Sequence, residues 1–176
     1  MTDKKSMWNE AGVAGLALGA VSSAYMYLGG ISGTVLTMVL WFVKFAACIY
    51  LMRFFMLRYS NNNPDAGHSE VFRFGTLVAL LSALIYAAFS LAYLMYINPE
   101  SLSEAMDSAM EMYESFLDSN SLESIEEMLP KLPTISFWTN LFYCWIFGTV
   151  LAAIFSRNIP SDNPFDGIED SNTDEQ

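Results

Sequence analysis

The chain has 176 residues, 53% of them hydrophobic and only 15% charged, which is too apolar for an ordinary water-soluble domain of this length. Its formal net charge is −11 with 8 Lys and Arg in all, so nucleic acid, which needs clustered cations against its phosphates, is excluded as a partner. Cys48 and Cys144 both fall inside apolar runs, and no disulfide framework is implied.

Residues 11–31, AGVAGLALGAVSSAYMYLGGI, hold no charge, and a helix needs roughly 20 apolar residues to cross a hydrocarbon core. Comparable runs follow at 35–57, 74–97 and 135–155. Buried helices of a soluble bundle would each turn a polar face to water, and none of these runs has one. The expected fold is therefore all-α, with four transmembrane helices. Lys4 and Lys5 before the first run, and the small residues of AVSSA, resemble a signal peptide. The apolar core of such a peptide is only about 7–15 residues, so this longer run is expected to be a retained helix.

Small residues suggest how the spans pack. Ala11, Gly15, Gly19 and Ser23 recur every fourth position in the first, and Gly75, Ala79, Ala83 and Ala87 in the third. Lipid supplies little hydrophobic drive between helices, so close backbone approach through such ribbons carries the association. Packing of the first span on the third is the expectation, ahead of homodimerisation.

The glycines of LGGISGT permit a tight reversal between spans one and two, and YSNNNPDAGHSE joins two and three with turn formers. His68 lies in that stretch without further ligands at metal spacing and is read as a solvated loop residue. Lys4, Lys5, Arg53, Arg58, Arg73 and Arg157 fall on one side of the membrane, against Lys131 alone on the other. Basic residues near helix ends stay in the cytoplasm, which places both termini there, and a bias this uneven argues against dual topology.

The segment after span three, INPESLSEAMDSAMEMYESFLDSNSLESIEEMLPKLP, is the most patterned. Asn98 and Pro99 suit a helix start. Leu102, Met106, Ala109, Tyr113 and Phe116 form one stripe, and Glu100, Glu104, Asp107, Glu111, Glu114 and Asp118 form another two residues out of register, about 200° round a helix. An extracytoplasmic amphipathic helix is expected over 99–118, with a short second helix over 121–129. Without Lys or Arg on its polar face it suits docking on the spans better than lying on anionic lipid, and the acidic face is left to water, cations or a basic partner. Residues 1–158 thus read as one membrane domain with an insertion at 98–134. The acidic tail 159–176 is too poor in apolar residues to fold.

The order and spacing of GVAGLALG in span one, FRFG at the start of span three, YINPE at its exit, the acidic helical segment and IFSRN closing span four resemble the domain of unknown function 4199 family, over about residues 11–158. That resemblance implies a four-span bacterial inner-membrane protein, chiefly of Bacteroidota, and supplies no activity, cofactor or functional residue.

Within VLWFVKFAACIYLM, residues 39–52, stands one lysine, Lys44, nine residues before Arg53. That separation is about 13 Å along a helix, so Lys44 falls near the membrane midplane, where insertion costs roughly 2.5–3.5 kcal/mol. No apolar run contains Asp or Glu to pair with it. Three readings stand: an uncharged amine hydrogen-bonded to groups such as Ser22, Tyr86 or Asn140, because desolvation disfavours the ammonium; a pair with a carboxylate on another subunit; or a cation facing a wet path that attracts an anion. Acid–base chemistry requires groups within mutual reach, and the spans offer no such set. The leading expectation is a non-enzymatic accessory or scaffold protein that binds a membrane protein partner or itself, without metal or cofactor. The alternative is an oligomeric small-solute or anion transporter or channel using Lys44.

Overall fold

The computed structural model describes residues 4–31, 34–100 and 131–159. They form four long helices: α1 (Lys4–Ile31), α2 (Thr34–Asn62), α3 (His68–Ala92) and α4 (Leu132–Asn158). Each is long and apolar enough to cross a membrane, over Met7–Gly30, Val35–Asn62, His68–Ile97 and Leu132–Asn158. All but the first two residues of the helix expected over 99–118, the helix expected over 121–129, and the tail expected over 159–176 apart from Ile159 lie outside the described residues.

The helices run past the apolar stretches that announce them, and they do so mainly at the end carrying the arginines. Hydropathy marks only what sits in hydrocarbon, whereas a helix can continue into polar surroundings because its backbone hydrogen bonds are internal. What looks like a loop at YSNNNPDAGHSE is mostly helix as a result, and the connection shrinks to residues 63–67. There Ala66 N–H donates to the Asn63 carbonyl at 2.9 Å, closing a turn around Pro64, while the Asn63 side chain donates back to the Tyr59 carbonyl. Ala66 is fully buried, so the turn packs onto the bundle.

This corrects the reading of His68. It is the first residue of α3 and half-buried, and its Nδ1 lies 2.7 Å from the Ser156 carbonyl near the end of α4. A carbonyl only accepts, so the proton is on Nδ1 and the ring ties two antiparallel helices together at one end of the bundle. Tyr59 of α2 and Phe74 of α3 stack beside it at 4.2 Å between ring centres, both buried.

At the other end α3 widens into a π-helical turn over Tyr93–Ile97, closed by Asn98 N–H donating to the Tyr93 carbonyl. Pro99 then bends the chain, and Glu100 is helical again. The start of α4 lies three residues before the apolar run because Pro133, in the first turn, removes no needed donor.

The centre of the bundle is α3, which packs extensively on α4 and on α1; α2 leans on α1 and barely meets α4. The small-residue ribbons explain the first two contacts, with one correction. A Cβ on Gly15 would lie 2.7 Å from Leu81 Cβ, and one on Gly19 would lie 2.8 Å from Ile85 Cβ, so α1 does bring its glycines against α3. The ribbon of α3, however, turns to α4: a Cβ on Gly75 would lie 2.8 Å from Ala152 Cβ, and one on Gly148 would lie 2.6 Å from Ala79 Cβ. The partner ribbon is Gly148, Ala152 and Ser156, all buried and four residues apart. One helix cannot point the same stripe at two neighbours on opposite sides, so α1 packs on the Leu81 and Ile85 face instead.

Candidate functional site

The inward face of α2 is a narrow stripe. Lys44, Cys48, Met52 and Met56 recur every fourth position and are half-buried or buried, whereas Val39, Phe42, Val43 and Tyr50 are exposed. The spacing of four residues carries Lys44 to the bundle side of the helix. There its Nζ sits 4.8 Å from the centre of the Tyr25 ring on α1 and 5.2 Å from that of Tyr86 on α3. Ring faces carry partial negative charge, and a desolvated ammonium gains about 2 kcal/mol or more from such contact. The amine that has no carboxylate within the apolar runs lies against two phenol rings of its own chain.

Lys44 also lines a cavity of about 140 Å³ to which every helix contributes: Ser22 from α1, Lys44 and Cys48 from α2, Ser82 from α3, Tyr143 and Cys144 from α4. Ser22 Oγ and Cys48 Sγ lie 3.7 Å apart, and Cys144 lines the same cavity from α4. The two thiols, remote in sequence, therefore share one site, and both are free. Trp41 and Phe45 stack at 5.5 Å and Phe45 meets Phe147 at 5.7 Å, forming an aromatic wall where α2 and α4 fail to close on each other. Below the cavity, on the side of the arginines, Met52, Met56, Tyr59, Phe74 and Val78 are all at most 2% exposed and seal it.

Beyond the cavity, Asn140 of α4 donates to Ser90 Oγ at 3.1 Å and to Ser136 Oγ at 3.4 Å, a polar link between α3 and α4 in the opposite half. Among the described residues no group of three or more His, Cys, Asp or Glu could hold a metal ion.

Of the residues singled out by sequence, Lys44 lies in the cavity, and Ala79 and Ala83 line it as well. Gly15, Gly19 and Gly75 lie in helix contacts instead. Of the acidic row, Glu100 is exposed and helical, and Glu104, Asp107, Glu111, Glu114 and Asp118 lie outside the described residues. The convergence of Tyr25, Cys48 and Cys144 on Lys44 was missed. The α2 register could have placed Cys48 beside Lys44; of the groups offered for Lys44 by sequence, Ser22 does line its cavity, whereas nothing in the sequence brought Tyr25 or Cys144 toward Lys44.

Fold and site together define a multi-pass membrane protein: a four-helix bundle with a lysine held at membrane depth. Residues 10–157 match the family described as protein of unknown function (DUF4199), and the chain belongs to that family. It matches no curated protein and no solved structure.

Proposed function

We propose that this is a non-enzymatic accessory protein of the bacterial inner membrane, with both termini cytoplasmic, which holds a helix of another membrane protein, or of a second copy, against its second span. The observation that carries the proposal is how little of α2 the other described helices cover. Only 6% of the most apolar stretch of α2 is buried inside the bundle, the least of the four, against 11% in α4, 33% in α3 and 39% in α1. Val35, Met38, Val39, Phe42 and Val43 instead present large side chains outward. Association in lipid rests on packing of such complementary surfaces. The orientation is supported by Arg58, Arg73 and Arg157, which belong to helix ends on one side of the bundle. A non-catalytic role is supported by the cavity, whose described lining offers hydrogen-bond donors and rings, with no carboxylate or imidazole among those residues.

The test is extraction of the tagged protein from its native membranes in mild detergent, with mass measurement of the complex. Wild type should carry a stoichiometric partner, or a second copy, that is lost when Val39, Phe42 and Val43 are all changed to Ala. A monomer in both forms contradicts the proposal.

Transport of a small solute or anion by an oligomer is the second reading, favoured by the presence of Lys44 in a cavity at membrane depth. The packed layer from Met52 to Val78 stands against it, because it closes the bundle toward the arginine end. Anion flux in liposomes that is abolished by Lys44→Ala would support this reading.

A further inference from the structure

The Lys44 cavity brings together polar groups from all four helices, and none of the described residues supplies it with a counter-charge. Its polar lining is made of the Lys44 amine, hydroxyls and thiols, groups that donate hydrogen bonds, and no acid among the described residues lines it. The phenol faces of Tyr25 and Tyr86 ease the desolvation of Lys44 without neutralising its charge. A cation held near the midplane is matched best by an anion, and the bundle's construction says from where that anion comes. The seal at Met52, Met56, Tyr59, Phe74 and Val78 shuts the route from the arginine end. The cavity is bounded laterally by Trp41, Phe45, Tyr143 and Phe147, which are 38–69% exposed on the two helices that hardly touch. In a membrane, a side chain exposed there faces lipid.

From this geometry we propose that the cavity binds the carboxylate of a long-chain amphiphile, of which a free fatty acid is the simplest, entering from the bilayer between α2 and α4. Lys44 pairs with the carboxylate in the cavity that Ser22 and Ser82 also line, and the Trp41, Phe45 and Phe147 rings flank the chain as it leaves. A volume of about 140 Å³ admits a carboxyl group and the first carbons of a chain, leaving the remainder between the aromatic rings and lipid. A phospholipid is a poorer match, because its phosphate is anchored at the interface while Lys44 is about 13 Å deeper than Arg53. The proposal is independent of whether a protein partner covers the outer face of α2.

The probe is palmitate carrying a photoactivatable diazirine in its chain, added to the full-length protein in phosphatidylcholine nanodiscs, with the labelled residues mapped by mass spectrometry. Saturable labelling is expected around Trp41, Phe45 and Phe147, competed by unlabelled palmitate but at least about tenfold less well by hexadecanol, which lacks the charge. Lys44→Met, checked for an unchanged elution profile, should lose the preference for palmitate over hexadecanol. The head-group comparison on the wild type stands even where that variant fails to fold. Equal competition by hexadecanol, competition by phosphatidylglycerol instead, unsaturable labelling spread over all lipid-facing helices, or an undiminished preference in folded Lys44→Met would each overturn the proposal.

Discussion

Lys44 Nζ lies 4.8 Å from the centre of the Tyr25 ring, so a charge carried by α2 is met by an aromatic face on α1. Insertion of a lysine at this depth costs roughly 2.5–3.5 kcal/mol, and two ring contacts return about 1–4 kcal/mol between them. The two ranges overlap, so the net cost of the lysine is at most about 2.5 kcal/mol. Lys44→Met should therefore shift the thermal midpoint in detergent by only a few degrees, while Lys44→Glu, which sets an anion against two negative ring faces, should destabilise by several kcal/mol or abolish the folded fraction. Equal damage from both variants would mean that the ammonium is needed for the fold itself.

Gly15 and Gly12 occupy the same helix three residues apart and should behave oppositely. A Cβ at Gly15 would press on Leu81 Cβ at 2.7 Å and on the Ser82 backbone nitrogen at 3.3 Å, whereas one at Gly12 meets nothing within 4 Å. Overpacking of this kind costs about 1–3 kcal/mol. Gly15→Ala should lower the unfolding midpoint clearly. Gly12→Ala should leave it unchanged or raise it, since Ala favours a helix over Gly by up to about 1 kcal/mol. Matched losses at the two positions would place the α1–α3 contact elsewhere.

Two polar links hold α4 to α3, one near each end. Asn140→Leu removes the donors to Ser90 and Ser136 and should cost on the order of 0.6 kcal/mol, with about 1.7 kcal/mol as an upper bound for such bonds in membrane bundles. His68→Ala should cost about 1 kcal/mol by freeing the Ser156 carbonyl. Their separation in the bundle makes the double variant additive within about 0.5 kcal/mol. Thermal or denaturant unfolding of the single and double variants in the same detergent checks this, and marked non-additivity would show that α4 detaches as one unit.

Much of the architecture was legible in the sequence because bilayer thickness imposes it. Four apolar runs become four helices, and the Gly15 and Gly19 spacing does put α1 against α3. Periodicity gives the stripe but not the neighbour that it meets, which is why the Gly75 and Ala79 ribbon was assigned to α1 when it belongs to Gly148 and Ala152 of α4. Polarity misled at His68, since polar residues at a protruding helix end look like a loop. For Lys44 the sequence supplied depth and the lack of a carboxylate. Its phenol partners come from two other helices, and only tertiary packing brings them within 5.2 Å.

The proposed orientation rests on the arginines. A fluorescent protein fused after the last residue should glow, and alkaline phosphatase at the same site should stay inactive, if Arg58, Arg73 and Arg157 hold their helix ends in the cytoplasm. The same reporters fused within the segment after Glu100 should give the inverse result. Active phosphatase at the C-terminus would invert the bundle.

The most direct measurement is a photo-crosslinking scan along α2 in native membranes, with the reactive amino acid placed in turn at Val39, Phe42, Val43, Cys48 and Met52. If α2 holds a partner helix, the outward positions Val39, Phe42 and Val43 should each give one protein adduct of the same mass, a doubled mass in the case of a second copy. Cys48 and Met52, which face the bundle, should give none beyond the chain itself. Lipid adducts alone at every outward position would contradict the proposal that α2 is a docking helix.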